Sequence, residues 1–342
     1  MNFINDFHKE FKRQDNRGRC LHYDKGVRCN KIISAHSIQN KGQLSLISES
    51  GHVYRFSADI SILRKTNGIP LPEKIGVNRV STFLGFCKHH DNDLFQPIDK
   101  YPLTQDKRQI ALYAYRCLCR EFFVKENAVE LFKNIIEHPE IDDDTRSFFS
   151  SSLLGNCTGL HGLKYHKTLY DNALQVEDYD QFEFLYVTCS TCCNAQFSGL
   201  LYPDFDFEGH SLQDITDIHK VPSLITFFTA PIDDGWAFCF AWHVSSNDVC
   251  IPFIQSLAYR VANGEKPEDI IFRFSLSCCE NHAIRISWWD RLSEDAKNEV
   301  ISRVGMMVHP ELPIPANYLA SGCEGIADWE FEHIYTTLKI GG

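Results

Sequence analysis

The chain has 342 residues, of which 44% are apolar and 23% charged; this composition excludes wholesale disorder and favours two domains, or one domain with a large insertion. No run approaches the ~18 apolar residues of a membrane helix, and the charged start lacks the apolar region of a signal peptide, so we expect a cytoplasmic protein without a membrane partner. Fourteen cysteines in such a chain favour free thiols and a metal site over a disulfide framework.

The net charge of −11 is unevenly distributed along the chain. Of its 34 basic and 45 acidic residues, positions 1–100 hold 16 and 10, a net +6, which leaves a net −17 for the remainder. A basic front joined to an acidic back favours different partners for the two parts. We expect the front to face nucleic acid and the back to bind a protein partner or to form a homo-oligomer; tuning of solubility is the alternative.

The front of the chain is poor in regular patterns until its long helical stretch. Phe3, Phe7 and Phe11 recur at helical spacing, and residues 14–100 are rich in glycine and proline among short apolar runs. Residues 104–137 then carry the longest helical pattern, with apolar side chains at i, i+3, i+4 and i+7. This order predicts a loop-rich first module followed by helices.

Short strands predominate from about residue 180 onward. The strand-like runs are QFEFLYV, SLITFFTA, WAFCFAW, IIFRFSL and AIRISWW. Turn signals such as Asp233-Asp234-Gly235 separate them, and helical patterns cover residues 249–261 and the segment after Ser293. We therefore predict an α+β fold. Its parts are a zinc-binding module at 1–100, a helical connector at 101–175 and a larger mixed α+β domain at 176–342.

Four donor residues in the front module have the chemistry of a zinc site. Cys20 and Cys29 flank a turn-like stretch, and Cys87 and His90 form a C-x-x-H pair. Zn²⁺ takes four thiolate or imidazole donors in a tetrahedron, and short spacings let one turn supply two of them. Bound metal would also explain how a glycine-rich segment with few apolar residues stays folded. Four unrelated core or surface residues are the alternative.

Polar residues that follow one another inside this frame carry the first resemblance. His36 ends the run IISAHSIQ, Asn78 lies in GVNRVSTF, and Asp91 comes directly after the proposed zinc ligand His90. This order resembles the HNH, or treble-clef, endonucleases. The resemblance implies a zinc-stabilised ββα-metal-like module with His36 as the general base, Asn78 as the residue that orients it, and Asp91 as the ligand of a catalytic Mg²⁺ or Mn²⁺ ion; His36 belongs to that ion site as well.

One position departs from the pattern of that family. The residue before the catalytic histidine often serves there as a second metal ligand, and in this chain it is Ala35. The interval from Asn78 to the next cysteine is also longer than usual. Either His52 or His89 supplies the missing ligand, or the module survives only as a binding module.

A second resemblance covers more of the chain. Residues 20–123, with ISAHSIQ, GHVY, GFCKHHDNDLF and YRCLCREFF in this order, are similar to a widespread set of uncharacterised bacterial proteins. This resemblance implies a bacterial origin and a functional unit that includes the helix after Asp91.

Two further groups of residues are weaker candidates. Cys189 and Cys192 have the spacing of a zinc knuckle, and the partners available for a second zinc are Cys157, His161 and His166. Glu280 and His282 lie near a Trp-Trp pair, where burial shifts pKa values. We favour ordinary structural roles for both groups, because cysteine is common in buried strands.

Two hypotheses follow from these residues. The first is a metal-dependent HNH-type endonuclease with a regulatory or partner-binding C-terminal domain. A role in bacterial defence is inferred by analogy with the systems in which such modules occur. The second is a non-catalytic zinc-binding scaffold or sensor that binds nucleic acid or a protein.

Overall fold

A computed structural model describes residues 3–26, 28–29, 31–56, 63, 65–308 and 313–338, and they form a mixed α+β fold. The helices are α1 (Phe3–Asp15), α2 (Lys88–Asp99), α3 (Lys107–Ile136), α4 (Asp143–Gln175), α5 (Asn247–Ala262), α6 (Pro267–Cys278), α7 (Ile286–Arg291) and α8 (Glu294–Val308). The strands are β1 (Ile32–His36), β2 (His52–Phe56), β3 (Pro72–Gly76), β4 (Thr82–Cys87), β5 (Phe182–Cys189), β6 (Ala195–Leu201), β7 (Ile225–Ile232), β8 (Gly235–His243), β9 (His282–Ile284) and β10 (Phe331–Thr336). The predicted α+β class is therefore confirmed.

A small antiparallel sheet pairs β1 with β4. Ile32 lies opposite Cys87 and His36 opposite Thr82, with an irregularity in the register between Ile33 and Ala35. Helix α2 begins at the residue after β4. Two strands and a helix therefore follow the cysteine-bearing loop, and the start of β1 and the end of β4 lie beside the first turn of α2, with His36 at the opposite end of the small sheet.

A larger antiparallel sheet, among the described residues, has the strand order β10-β5-β8-β7-β6-β9-β2-β3. Its central strands β5, β7 and β8 are buried on both sides because helices cover both faces of the sheet. Along β8, Phe238 and Phe240 pack into one hydrophobic core, whereas Cys239 and Ala241 pack into the other. Helices α5, α6 and α8 contribute to the first core, and α2, α3 and α4 to the second.

Strands β2 and β3 lie in the N-terminal hundred residues but belong to this large sheet, because Tyr54 of β2 pairs with Ile284 of β9. A buried polar network joins the two sheets further. Asn281 donates through Nδ2 to Ser37 Oγ at 2.7 Å and to the Ser198 carbonyl at 3.0 Å. Ser37 Oγ is in turn 2.8 Å from Ser81 Oγ, next to β4. Strand pairing and hydrogen bonds thus join the first hundred residues to the rest of the chain.

The prediction of a strand for the run IIFRFSL is wrong, because these residues form the middle of α6. Pro267 occupies the first helical turn together with Glu268 and Asp269, a sequence that favours a helix N-terminus. The guanidinium of Arg273 is fully buried, where it donates to the Leu319 carbonyl at 2.7 Å and to that of Gly322 at 3.0 Å. An all-round apolar run looks the same in a buried strand and a buried helix, and the capping residues decide.

The other patterned elements agree with the structure. Helix α8 begins after Ser293, whose Oγ accepts from the Ala296 N–H at 3.2 Å as an N-cap. The run AIRISWW is only partly a strand, since β9 ends at Ile284 and α7 begins at Ile286.

Candidate metal centre and its surroundings

Cys20, Cys29, Cys87 and His90 come together in one cluster, with their ligand atoms all within 4.8 Å of one another. The three sulfur atoms lie 3.3, 3.4 and 3.4 Å from His90 Nδ1. A tetrahedral zinc ion with Zn–S and Zn–N bonds of usual length has S···N edges of roughly 3.5 Å. The four side chains therefore match the chemistry and the dimensions of a site for a metal ion such as zinc.

The cluster is assembled by a loop and by a helix N-terminus. Gly26 adopts φ +91°, which favours glycine, and its N–H donates to Cys29 Sγ at 3.3 Å. Cys87 is the N-cap of α2, and its sulfur accepts from the His90 N–H at 3.5 Å. The C-x-x-H spacing thus puts both donors in the first turn of the helix.

The pKa values in the cluster respond to its burial. Burial lowers the pKa of His90, which leaves the imidazole neutral as ligation requires. Burial also raises the pKa of Cys20 to about 11. For Cys87, burial acts in the same upward direction, but hydrogen bonds from the His90 N–H and the other two thiols outweigh it and lower the pKa. A bound cation would compete with protons for these sulfurs.

His22 is a neighbour of the cluster that we did not predict. Its ring stacks on the ring of His90, with centroids 4.1 Å apart and an interplanar angle of 8°. Burial lowers the pKa of His22 to about 4, so this ring is neutral at pH 7 and adds no charge beside the cluster. Its position two residues after Cys20 was the only signal in the sequence.

His36 lies at the end of β1, half-buried, on the small sheet that leads into the metal cluster. Its Nε2 donates to the Val77 carbonyl at 3.0 Å. Burial lowers the pKa of His36, so the ring is neutral and its Nδ1 has a free lone pair. This side chain therefore has the protonation state of a general base.

Asn78 and Asp91, the other two residues predicted for the catalytic site, have different surroundings. Asn78 follows the carbonyl partner of His36 and accepts through Oδ1 from Asn40 at 2.8 Å, on the surface. Asp91 is half-buried one residue after His90, and burial raises the pKa of its carboxyl while Arg116 lowers it. Through its hydrogen bond with Asn40, Asn78 contacts the loop that follows His36 and not the His36 ring.

Arg116 and Asp99 are charged neighbours that His36 and Asp91 share. Arg116 is buried, and its Nη2 donates to Asp99 Oδ1 at 2.9 Å while its guanidinium lies 4.0 Å from the centre of the Phe95 ring. Sequence reasoning missed this pair, because Arg116 lies in the middle of an apolar helix where no motif marks it.

The two histidines suggested as further metal ligands have other partners. His52 begins β2 in the large sheet, and its Nδ1 lies 2.8 Å from the Ser50 carbonyl. His89 Nδ1 lies 3.2 Å from Asp93 Oδ2 on the surface of α2. Among the described residues, the Cys₃His cluster is the only group of three or more such donors close enough to hold an ion. The structure thus adds no support for the expected Mg²⁺ or Mn²⁺.

In the part of the chain that is described, the candidate residues for a second zinc form no group of three or more donors close enough to hold an ion. Cys189 Sγ is 2.9 Å from Thr191 Oγ1, and Cys192 is exposed. His166 Nε2 instead lies 2.8 Å from the Pro222 carbonyl. His282 is buried in β9 with both ring nitrogens on backbone groups.

No family model, curated protein or solved structure matches the chain. None of the helices in the described ranges is both long enough and apolar enough to cross a membrane.

Proposed function

We propose that this protein is a zinc-stabilised, metal-dependent nuclease of the HNH type. One observation carries the proposal. The Cys₃His cluster holds the cysteine-bearing loop against the first turn of α2, and the β1–β4 sheet between them ends in His36. This succession of a metal-bound loop, two antiparallel strands and a helix is the order of parts in a treble clef.

The chemistry that we assign to the chain is hydrolysis of a phosphodiester. The neutral His36, with Nε2 on the Val77 carbonyl, would accept the proton of an attacking water at Nδ1. Asp91 would hold a hard divalent ion, which when bound polarises the scissile phosphate and stabilises the leaving oxygen. Asn78 would position the loop that carries the carbonyl partner of His36.

The substrate class that fits this surface is nucleic acid. Lys41 and Arg79 are exposed next to the Asn40–Asn78 pair in sequence, and the first hundred residues carry a net +6. Phosphate contacts from such residues supply most of the sequence-independent affinity for nucleic acid. The acidic remainder of the chain would bind a protein partner, oligomerise or regulate the front.

A non-catalytic zinc scaffold or sensor is the second candidate, favoured by a specific observation. Ala35, in the place where HNH nucleases often have a second metal ligand, is buried. Within the described ranges, neither His36 nor Asp91 belongs to a group of three donors. On this reading the small sheet and α2 present a surface for binding only.

Cleavage of nucleic acid tests the two candidates against each other. Purified protein should nick plasmid DNA or RNA when Mg²⁺ or Mn²⁺ is added, and His36→Ala should slow nicking by about 10²-fold or more through loss of the base. His219→Ala, at an exposed histidine in a loop of the C-terminal part, is the matched control and should cleave at the wild-type rate.

Metal analysis completes the experiment. Wild type and His36→Ala should both contain about one zinc per chain, whereas Cys87→Ser should contain much less because three donors bind zinc weakly. If the protein contains zinc but cleaves no nucleic acid when Mg²⁺ or Mn²⁺ is added, the scaffold or sensor is the function that the result supports. Absence of zinc would remove both candidates.

A further inference from the structure

Helix α3 holds the backbone on both sides of the ligand Cys20. On the upstream side, Arg19 donates to the Asn127 side chain and to the Phe123 carbonyl, each at 3.0 Å. It also forms an ion pair with Glu126 at 2.5 Å, and its guanidinium lies 4.1 Å from the centre of the Phe123 ring. One side chain of the cysteine loop is thus bound by a full turn of the helix.

Tyr115 makes the corresponding contact on the downstream side. Its hydroxyl lies 3.1 Å from the carbonyl oxygen of Leu21, the residue that follows Cys20. The side chain is fully buried and belongs to the core between α3 and the small sheet. The Leu21 N–H meanwhile donates to the Gly85 carbonyl of β4 at 2.9 Å. Both backbone polar groups of Leu21 therefore have a partner at a defined position.

Two charged groups on α4 complete the arrangement around Tyr115. Lys167 donates to both oxygens of Asp171, at 2.8 and 2.7 Å, and to the Tyr115 oxygen at 3.2 Å. Asp171 Oδ1 also lies 2.6 Å from the Tyr115 oxygen. A phenol has one proton, so Tyr115 donates either to Asp171 or to Leu21 at any moment. Both acceptors lie within hydrogen-bond distance of the hydroxyl, so Tyr115 links the Leu21 carbonyl to the Lys167–Asp171 pair of α4.

We propose that Tyr115, supported by Lys167 and Asp171, is a positioning residue for the metal centre. It fixes the backbone after Cys20, as Arg19 fixes the backbone before it, so that the Cys20 sulfur is held at the distance that the other three donors require. The inference rests on the cluster binding a metal, as in the proposed function. It adds that helices α3 and α4, outside the first hundred residues, determine how tightly the metal is kept.

Metal release from the full-length protein tests this role. Zinc-loaded wild type, Tyr115→Phe and Tyr113→Phe are mixed with a chromogenic chelator, and the rate and the competition constant are measured. Loss of a partner that is bonded directly to a ligand typically lowers metal affinity by 10- to 100-fold; because Tyr115 acts through the backbone of the next residue, Tyr115→Phe should bind zinc about 10-fold more weakly, at the lower end of that range. Tyr113 is the matched control, since it is also buried in α3 but donates to the Ile98 carbonyl at 3.4 Å. Its variant should stay within about twofold of wild type.

Cobalt substitution gives a readout that a general loss of stability would not change. The thiolate-to-cobalt absorption band of Tyr115→Phe should shift or weaken, because the Cys20 sulfur is no longer held in place, whereas that of Tyr113→Phe should match wild type. Should Tyr115→Phe fail to fold, Arg19→Lys on the other flank of Cys20 should weaken zinc binding in the same assay.

The outcomes separate this inference from the proposed function. Equal zinc affinity and equal cobalt spectra in wild type and Tyr115→Phe would overturn the positioning role and leave the metal centre intact. Wild-type protein that binds neither zinc nor cobalt would overturn the metal centre itself.

Discussion

The imidazole of His282 has a hydrogen-bond pattern that fixes its protonation state. The Phe56 N–H donates to Nε2 at 3.2 Å, so that nitrogen carries a lone pair, and Nδ1 donates to the Cys279 carbonyl at 2.9 Å. Burial lowers the pKa of His282 to about 4. A charged ring would lose the bond from Phe56 and remain without a counter-ion. His282 therefore serves the fold and not acid–base chemistry.

A pH dependence of stability follows from this residue. The unfolded chain protonates His282 near pH 6.5, the folded chain only near pH 4, so protons favour unfolding between these values. The contribution of neutral His282 to the free energy of unfolding should be fully present above pH 6.5. It should be lost as the pH drops towards 4, which lowers the free energy of unfolding by about 3 kcal/mol.

Urea unfolding at pH 7, 5.5 and 4.5 measures that slope. His282→Gln offers an amide that can donate and accept without titrating, and its slope should be distinctly shallower. His166, whose pKa burial also lowers to about 4, keeps part of the slope in the variant. Identical slopes in the two proteins would contradict the assignment.

Single residues differ in how far the sequence revealed them. The four metal donors were predictable, because spacing and helix capping are local properties that leave a C-x-x-H pattern. His22 and Tyr115 were not, since their roles arise from contacts with residues far away in the chain. The role of Arg116 was not predicted for the same reason.

The hairpin of β7 and β8 depends on the residues of its turn. Ile232 pairs with Gly235 across the turn residues Asp233 and Asp234, where the sequence indicates a turn. Gly235 has φ +139°, outside the region that other residues adopt readily. A Cβ at this position would collide with the Cys189 carbonyl of the neighbouring strand. Glycine is therefore required by both conformation and space.

Gly235→Ala should lower the free energy of unfolding by about 1–3 kcal/mol, through backbone strain and the clash with Cys189. Thermal or urea unfolding measures the loss. Gly264→Ala is the control, because Gly264 has φ +96° with open space around its Cβ position; it should cost less, since only the strain applies. A Gly235 variant as stable as the Gly264 variant would contradict the steric argument.

The elements predicted wrongly share a cause. IIFRFSL is a short, mostly apolar run of a kind that a buried strand and a buried helix both accommodate. Arg273 can lie buried in this helix because the Leu319 and Gly322 carbonyls, remote in sequence, accept hydrogen bonds from its guanidinium. The end of β9 likewise depends on β2 and β6, between which it pairs.

At the scale of the whole molecule, the first hundred residues and the remainder share one large sheet. Strand β2 pairs with β9 and β3 pairs with β2, and the network of Asn281, Ser37 and Ser81 joins the small sheet to the large one. Buried polar groups in such a network are costly to leave unsatisfied. We therefore expect the two parts to unfold together.

Two optical probes test that expectation in cobalt-loaded protein. The thiolate-to-cobalt band reports on the metal centre, whereas the tryptophans, all beyond residue 230, report on the large sheet. Their urea midpoints should coincide, and Asn281→Ala should lower the free energy of unfolding that both probes report by about 1–3 kcal/mol. Loss of the cobalt band well before the tryptophan signal would show that the front unfolds by itself.

The sequence by itself predicted the α+β class, helices α1, α3, α5 and α8, strands β5, β7 and β8, and the four residues of the Cys₃His cluster, because periodicity, turns and capping act over a few neighbouring residues. The tertiary structure alone decided that β2 and β3 join the large sheet. It also decided that His36 and Asp91 share Arg116 and Asp99 as neighbours, and that α3 and α4 hold the backbone around Cys20. These features arise from pairings between distant segments, whose free energy depends on which surfaces meet and not on any local pattern.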